Sequence, residues 1–456
     1  MKQALNAKNF IKIYYDENRK GNYLDNKFDE LKKVKCISEL IIKFNNKKYP
    51  KSKKEQAKKV IEYLKKRKYN CLEKIFGKVE EKVHTNKKLV NIKVQKIKGK
   101  DTYIVDKSCI ASFFLLKQIQ KNIKSSFDVQ QMERNEIVEQ LKNTLDNAFP
   151  KYIIRTDIQS FYESIPHNSL INIINNNYLL SYESKKVIRD ILYQYKEISK
   201  KNKGIPRGVG ISAYLAEAYI KSLDDHVRTL DSITYYARYV DDIIAVFTPA
   251  NKHQSNSYIK NISNKVKEIG LELKTDKTNE ISFINPSQND SYNFDFLGYN
   301  FECCFNGKKV SLNIDITEAK LKKYKEKLDA AICEYNNASK YNNEKAKKLL
   351  IKRIKYLTGN TRLLGVKKDI LIGIYFSNQQ MNHLNGNIKK LDDYYKYQAL
   401  DKISPHEKLQ VNIDKLKQRL QLFSFREGFN TKRFHKFSNK ELQLILKVWK
   451  NDNKKC

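Results

Sequence analysis

The stretch "YYARYVDDIIAVF", residues 235–247, sets two adjacent aspartates, Asp241 and Asp242, between two apolar runs. Each run reads as a β-strand, so the pair falls at the tip of a hairpin. Two like charges in so tight a turn repel, and Asn-Gly or Asp-Gly would close it more easily. An ordinary solvent-exposed Asp turn is one reading. The other is a tip whose repulsion is offset when cations bind, so that the local strain belongs to function.

The surrounding sequence supplies partners for such a tip. "KYIIRTDI" (151–158) is a strand ending in Asp157, and "HNSLINIINN" (167–176) begins a helix. "GIPRGVGISAYLAEAYIKSLD" (204–224) is a Gly/Pro-rich loop running into a helix. "SYIKNISNKVKEIG" (257–270) has Ile259, Ile262, Val266 and Ile269 at helical spacing and closes on Gly270. "LELKT" (271–275) and "FDFLGYNF" (294–301) read as short strands. Phosphoryl transfer to a nucleotide uses divalent cations about 3.5–4 Å apart. Magnesium prefers carboxylate oxygens, with water and phosphate completing its shell. Adjacent strand ends lie about 4.8 Å apart, so a strand ending in Asp157 beside a hairpin tipped by Asp241 places two carboxylates within reach of bridging metals.

Outward from this segment the chain is mostly helical. Residues 1–80 are lysine-rich, and "KSKKEQAKKVIEYLKKRKYN" (51–70) places Val60, Ile61 and Leu64 on one face. It reads either as a solvated amphipathic helix or as a phosphate-contacting surface. "LVNIKVQKIKGKDTYIV" (89–105) alternates around a basic tip, a hairpin signal. "ASFFLLKQIQKNI" (111–123) and "RNEIVEQLKNTLDNAF" (134–149) are helical. After residue 315 helices are expected in "TEAKLKKYKEKLDAAICEY", "EKAKKLLIKRIKYL", "DILIGIYFSNQQMNHL" and "HEKLQVNIDKLKQRLQLF". There is no internal repeat and no Gly/Ser linker.

Composition narrows the partners. Among 456 residues, 89 Lys and Arg face 51 Asp and Glu, a formal net charge of +38 that favours a polyanion, nucleic acid first and an anionic membrane second. The lysine, asparagine and isoleucine bias of AT-rich genomes competes as an explanation. The seven cysteines form no C-x-x-C pair, which argues against a zinc ribbon or a disulfide framework and points to reduced thiols and a cytoplasmic location. The N-terminus lacks the apolar core of a secretion signal, and no run approaches the ~20 apolar residues of a membrane span.

Taken in order, "DIQSFYESI" (157–165), "GIPRGVGISAYLAEAY" (204–219), "YVDD" (239–242), "LELKTDKT" (271–278) and "FLGY" (296–299) resemble the successive palm motifs of reverse transcriptases, over residues 90–300. The resemblance implies an α+β right-hand polymerase. Residues 1–150 would form an N-terminal helical segment and fingers, 151–315 a palm with an antiparallel sheet, and 316–456 a helical, thumb-like C-terminal domain. Asp157 and Asp241 are then the principal ligands of two Mg2+ ions, with Mn2+ an alternative. Asp242 is the third carboxylate, and the backbone carbonyl of Ile158 also faces a metal. Tyr162 takes the position whose bulk excludes a ribose 2′-hydroxyl. Arg207 and Gly208 fall in the loop that touches the nascent base pair, where Gly208 and Gly210 would let the backbone approach the nucleotide. Lys277 resembles the lysine that protonates leaving pyrophosphate. Lys98 and Lys100 resemble the fingers segment that clamps the triphosphate, and Phe296, Leu297, Gly298 and Tyr299 the primer grip. The sequence departs from the family at Arg207, where glutamine is usual, at Ala213, where proline often follows the serine, and at Asp101 and Thr102, where an arginine is often found.

No ribonuclease H region and no C-x-x-C endonuclease tail is recognisable. The "IPRGVGISAYLAE" variant and the long helical C-terminus resemble bacterial defence-associated reverse transcriptases, relatives of the abortive-infection polymerases. "RIKYLTGNTRL" (353–363) and "LIGIYFSN" (371–378) resemble the second polymerase of systems with two reverse transcriptases and a noncoding RNA. This implies antiphage function, dNTPs as substrates, an RNA template or noncoding RNA and a DNA product as partners, a companion reverse transcriptase, and oligomers, with no membrane. Two alternatives stay open: template-independent or protein-primed DNA synthesis, and a noncatalytic RNA-binding protein on the same fold.

Overall fold

The computed structural model describes residues 3–21, 23–47, 49–85, 89–97, 99–106, 108–129, 132–249, 257–284, 287, 290–307, 310–363, 370–404 and 413–450. In chain order the elements are α1 (Ala7–Arg19), α2 (Lys32–Asn46), α3 (Lys51–Thr85), β1 (Ile92–Ile97), β2 (Lys100–Val105), α4 (Ile110–Ser126), α5 (Arg134–Leu145) and β3 (Lys151–Asp157). There follow α6 (Phe161–Ser164), α7 (His167–Asn176), α8 (Tyr182–Ser199), α9 (Ser212–Arg228), β4 (Ile233–Tyr239), β5 (Asp242–Phe247), α10 (Tyr258–Glu268) and β6 (Asn279–Phe283). The rest comprises β7 (Ser291–Phe296), β8 (Tyr299–Phe305), β9 (Val310–Ile316), α11 (Glu318–Thr358), β10 (Asn360–Leu363), β11 (Ile370–Gly373), α12 (Asn387–Tyr394), α13 (Ile413–Gln421), α14 (Phe425–Asn430) and α15 (Asn439–Lys450). The strands form sheets in the orders β1-β2, β4-β5-β3-β6, β7-β8-β9 and β10-β11.

The chain divides into two compact units. The first comprises Met1–Gln131, Thr156–Ile243 and His253–Thr278. Its N-terminal helices bury an aromatic cluster in which Phe76 and Phe114 meet edge to face at 4.6 Å. Asn6 caps α1 by accepting from the Asn9 amide at 3.0 Å. Helix α9 packs against α4, α7, α10 and β4. It buries Leu215, Ala216, Tyr219, Ile220, Leu223 and Val227, and each large apolar side chain so buried contributes about 1.5–3 kcal/mol. Its opposite face is free to carry carboxylates.

The second unit comprises Met132–Arg155, Ile244–Lys252 and Asn279–Cys456. Strand β3 pairs antiparallel with β6 from Lys151–Phe283 to Arg155–Asn279. The β7-β8-β9 meander stacks Phe294 on Phe301 at 5.2 Å. Helix α11, capped by Thr317, is interrupted at Asn342, whose φ of −153° and ψ of 90° are not helical.

Several sequence expectations change. "LELKT" forms only a bridge between Leu273 and Ile158, followed by a short 3-10 turn at Thr275–Lys277, instead of a strand. "DILIGIYF" is not a helix: Ile370–Gly373 pairs with Asn360–Leu363. Gly373 sits at φ 134°, and a Cβ there would lie 2.4 Å from the Gly359 carbonyl oxygen, so the chain approaches too closely for helical geometry. Cys36, Cys71, Cys109, Cys303 and Cys304 are free thiols, whereas Cys333 is disulfide-bonded. Among the described residues, no helix is long and apolar enough to cross a membrane.

Candidate active site

The acidic groups singled out around the hairpin lie in the first unit. Past the end of β3, the Ile158 amide donates to the Asp241 carbonyl at 3.1 Å, which sets the strand end beside the hairpin tip. On the other edge, the Lys274 amide donates to the Asp157 carbonyl at 2.8 Å and the Gln159 amide to the Glu272 carbonyl at 2.9 Å. These bonds use residues 157 and 159, so the polar groups of Ile158 turn to the opposite edge, toward residue 241.

The tip itself is strained. Val240 has φ 62°, the left-handed region, which a β-branched residue rarely adopts and which costs about 1–3 kcal/mol. Asp157 is buried, and Lys277 donates to its Oδ2 at 2.7 Å from the 275–277 turn. The hydroxyls of Thr156 and Thr278, 2.7 Å apart, pin that turn to the strand.

Among the described residues, no three His, Cys, Asp or Glu side chains converge closely enough to hold a metal ion by themselves. Magnesium does not require this: it is usually bound through one or two carboxylates plus substrate phosphates and water, not by an all-protein cage. The donor set here is of that kind, with hard carboxylate oxygens and a backbone carbonyl on adjoining strand ends. The Lys277 ammonium supplies the positive charge beside Asp157.

Tyr162 is carried by the short helix α6 and is half-buried. Its phenol is pushed above its usual range by burial first, then by Glu217, with a smaller contribution from Asp241, while Arg207 and Arg238 oppose the rise. Tyr162 therefore shares an electrostatic environment with the hairpin tip. Arg207 pairs with Glu163 at 3.0 Å, and its guanidinium carbon lies 5.5 Å from the centre of the Tyr162 ring.

The glycine-rich loop packs closely against other segments of the first unit. Gly208, at φ 103°, faces β2: a Cβ would lie 2.6 Å from the Tyr103 carbonyl oxygen. A Cβ on Gly210 would meet the Gln120 side chain at 2.1 Å. Both close approaches are made to protein. Lys98 lies outside the described residues, and Lys100 opens β2, paired through its backbone with Ile97.

Phe296–Tyr299 belongs to the second unit. Leu297 (φ 47°) and Gly298 (φ 78°) form the turn between β7 and β8, while Phe296 and Tyr299 are fully buried. Arg134 donates from Nε to the Leu297 carbonyl at 2.7 Å and lies 4.8 Å from the centre of the Tyr299 ring. Lys320 lies 5.4 Å from the same ring.

Sequence reasoning missed Arg238. This arginine of β4, its side chain mostly covered, forms ion pairs with Glu217 at 2.6 Å and Asp224 at 2.8 Å, both on α9. Its signal was available: a permanent charge inside "ITYYARYV" must find partners wherever its side chain is taken out of water.

Residues 108–301 match the family model described as reverse transcriptase (RNA-dependent DNA polymerase). No curated protein matches the chain. Among solved structures, apo telomerase from Candida tropicalis truncated from its C-terminal domain is 15% identical, covering 50% of this chain and 55% of that one, with TM-score 0.35. Telomerase from Candida tropicalis with a TWJ fragment of telomeric RNA is 13% identical over 79% of this chain and 64% of that one, with TM-score 0.35. The Candida albicans telomerase with the TWJ fragment is 10% identical over 78% and 64%, with TM-score 0.36. The chain thus spans less than two thirds of the length of each of these structures. Its helices and antiparallel sheets form a mixed α+β fold. The segment that matches the reverse transcriptase model, residues 108–301, is the one that holds Asp157, Tyr162, Arg207, Arg238, Asp241, Asp242 and Lys277.

Proposed function

We propose that the chain is a Mg2+-dependent reverse transcriptase that joins dNTPs to a 3′-hydroxyl at Asp157, Asp241 and Asp242. The observation that carries this reading is the Ile158–Asp241 backbone bond of 3.1 Å, which draws two acidic segments together from far apart in sequence. Divalent metal held by Asp157, Asp241, Asp242 and the Ile158 carbonyl would supply charge neutralisation at the triphosphate and acidify the 3′-hydroxyl. Tyr162 excludes a ribose 2′-hydroxyl by the bulk of its ring, a role taken from its position in the "DIQSFYESI" motif. Lys277 holds a proton on Nζ beside Asp157, in position to pass it to departing pyrophosphate. Lys98 and Lys100 clamp the triphosphate from the fingers, which with the palm and thumb-like region follow the 1–150, 151–315 and 316–456 division. Phe296–Tyr299 grips the primer.

The biological setting we propose is cytoplasmic antiphage defence. It rests on the resemblance of "IPRGVGISAYLAE", "RIKYLTGNTRL" and "LIGIYFSN" to the defence-associated enzymes. The net charge of +38 supports an RNA template or noncoding RNA and a DNA product as partners. A companion reverse transcriptase and oligomerisation belong to the same proposal.

One observation favours a second reading, DNA synthesis with an unusual template or a protein primer. Arg207 stands where glutamine is usual and is engaged with Glu163 and the Tyr162 ring. Purified chain incubated with Mg2+, single dNTPs, and RNA or no RNA tests both readings. RNA-dependent incorporation that vanishes in Asp241→Ala supports the first, and RNA-independent product the second. Incorporation that survives Asp241→Ala removes the site assignment.

A further inference from the structure

We infer that Arg238 is a positioning residue for the hairpin tip, fixing the 240–241 peptide and thereby the direction in which Asp241 and Asp242 point. This rests on the polymerase reading of those aspartates, which does not itself invoke Arg238. Every N–H of the guanidinium is used. Nε donates to Asp224 Oδ1 at 2.8 Å, and Nη2 to Glu217 Oε2 at 2.6 Å and Asp224 Oδ2 at 2.8 Å. Nη1 donates to Glu217 Oε1 at 3.2 Å and to the Val240 carbonyl at 2.9 Å. The side chain is 6% exposed, and both carboxylates come from one face of α9, seven residues apart, so the fork is locked to a rigid helix. The Tyr236 hydroxyl steadies Asp224 at 2.6 Å.

Four donors satisfy carboxylates, and the fifth reaches the carbonyl of the residue with the strained backbone. Val240 sits at φ 62°, and relaxing that torsion, about its own N–Cα bond, would turn the 240–241 peptide with it and swing Asp241 away. Arg238 blocks this rotation from one side of that peptide, and the Ile158 amide, bonded to the Asp241 carbonyl at 3.1 Å, anchors the next. An arginine needed only to neutralise Glu217 and Asp224 would have no dependence on the conformation of Val240.

That difference supplies the test, made on the full chain with Arg238→Gln, Val240→Asn and the double variant. Asparagine adopts the left-handed region readily without glycine's full freedom. Arg238→Gln should lower kcat for dNTP incorporation about 100-fold with dNTP KM changed less than about 3-fold, a geometric effect on the reacting groups. In the Val240→Asn background the same change should lower kcat less than about 10-fold, because the turn no longer needs to be held. Mn2+ affinity, read from the electron paramagnetic resonance of free Mn2+, should follow the same pattern. Equal losses in both backgrounds overturn the inference, as does a rise in KM with kcat intact. If the parent chain incorporates no dNTP, the polymerase reading fails and the Mn2+ measurement alone decides the role of Arg238. A parent chain that binds no Mn2+ overturns the inference too. Should Arg238→Gln fail to fold by circular dichroism, Arg238→Lys replaces it, since an ammonium lacks the planar fork that spans both carboxylates and the carbonyl.

Discussion

Lys277 donates its ammonium to Asp157 Oδ2 at 2.7 Å, across 120 residues of sequence. The carboxylate is buried, while the lysine side chain keeps 39% of its exposure, so the pair joins an interior acid to a base that solvent can still reach. The ammonium offsets a charge that would otherwise be expensive to desolvate.

Replacing that lysine separates its two roles. Lys277→Met should lower kcat for incorporation about 10- to 100-fold through loss of a proton donor. With its resident cation gone, the variant should also gain more thermal stability from added Mg2+ than the parent does. Steady-state kinetics and melting curves with and without Mg2+ check both.

Tyr162 should govern sugar selection. Tyr162→Ala opens space where the ring now stands, and relative use of NTPs over dNTPs should rise about 10- to 100-fold. Single-nucleotide incorporation with matched dNTP and NTP pairs measures it. Unchanged discrimination would assign the ring to packing alone.

Two glycines should respond oppositely to alanine. Gly208→Ala meets both a φ of 103° and a carbonyl oxygen 2.6 Å from the new Cβ, and should lose about 1–3 kcal/mol of stability. Gly77, inside α3, has nothing within 4 Å of a Cβ. Gly77→Ala should gain about 0.5–1 kcal/mol. Denaturant unfolding of the two variants beside the parent gives both values.

Lys320 gives the second unit a pH dependence. Burial first, and then Arg134, Lys323 and Lys327, push its pKa down to about 7. Its ammonium faces the Tyr299 ring, the Ser377 carbonyl and the Asn378 side chain. The unfolded chain keeps the proton up to about pH 10.4, whereas the folded chain releases it above pH 7. Between these values the unfolded state binds more protons, so this contribution to stability grows as pH rises and is flat below 7. Lys320→Met removes the group. The melting temperature of the parent should fall below that of the variant at pH 6 to 7, and the gap should close toward pH 9.

Much of the hairpin, the strand ending at Asp157 and the loop entering α9 was legible from local pattern, because alternating burial and turn residues are local properties. The partners of these groups were not. Arg238 finds Glu217 and Asp224 at separations of 21 and 14 residues, and helix phase alone cannot say which carboxylates of α9 face a strand still to come. Gly208 was legible as a close approach, but the sequence does not say that β2 is what it approaches. "LELKT" has strand composition, yet Asp157 and Gln159 use its backbone only at residues 272 and 274 before the chain turns to present Lys277. "DILIGIYF" failed as a helix because Gly373 must press against Gly359, a contact that only the folded chain reveals.

The Tyr103 amide donates to the Arg207 carbonyl at 2.7 Å, and Gly208 leaves no slack beside it. The β1-β2 ribbon and the 204–211 loop are thus mechanically coupled, like two levers on one pin. A swing of the ribbon is transmitted to the loop without passing through the interior, and it pulls on the segment that ties Arg207 to Glu163.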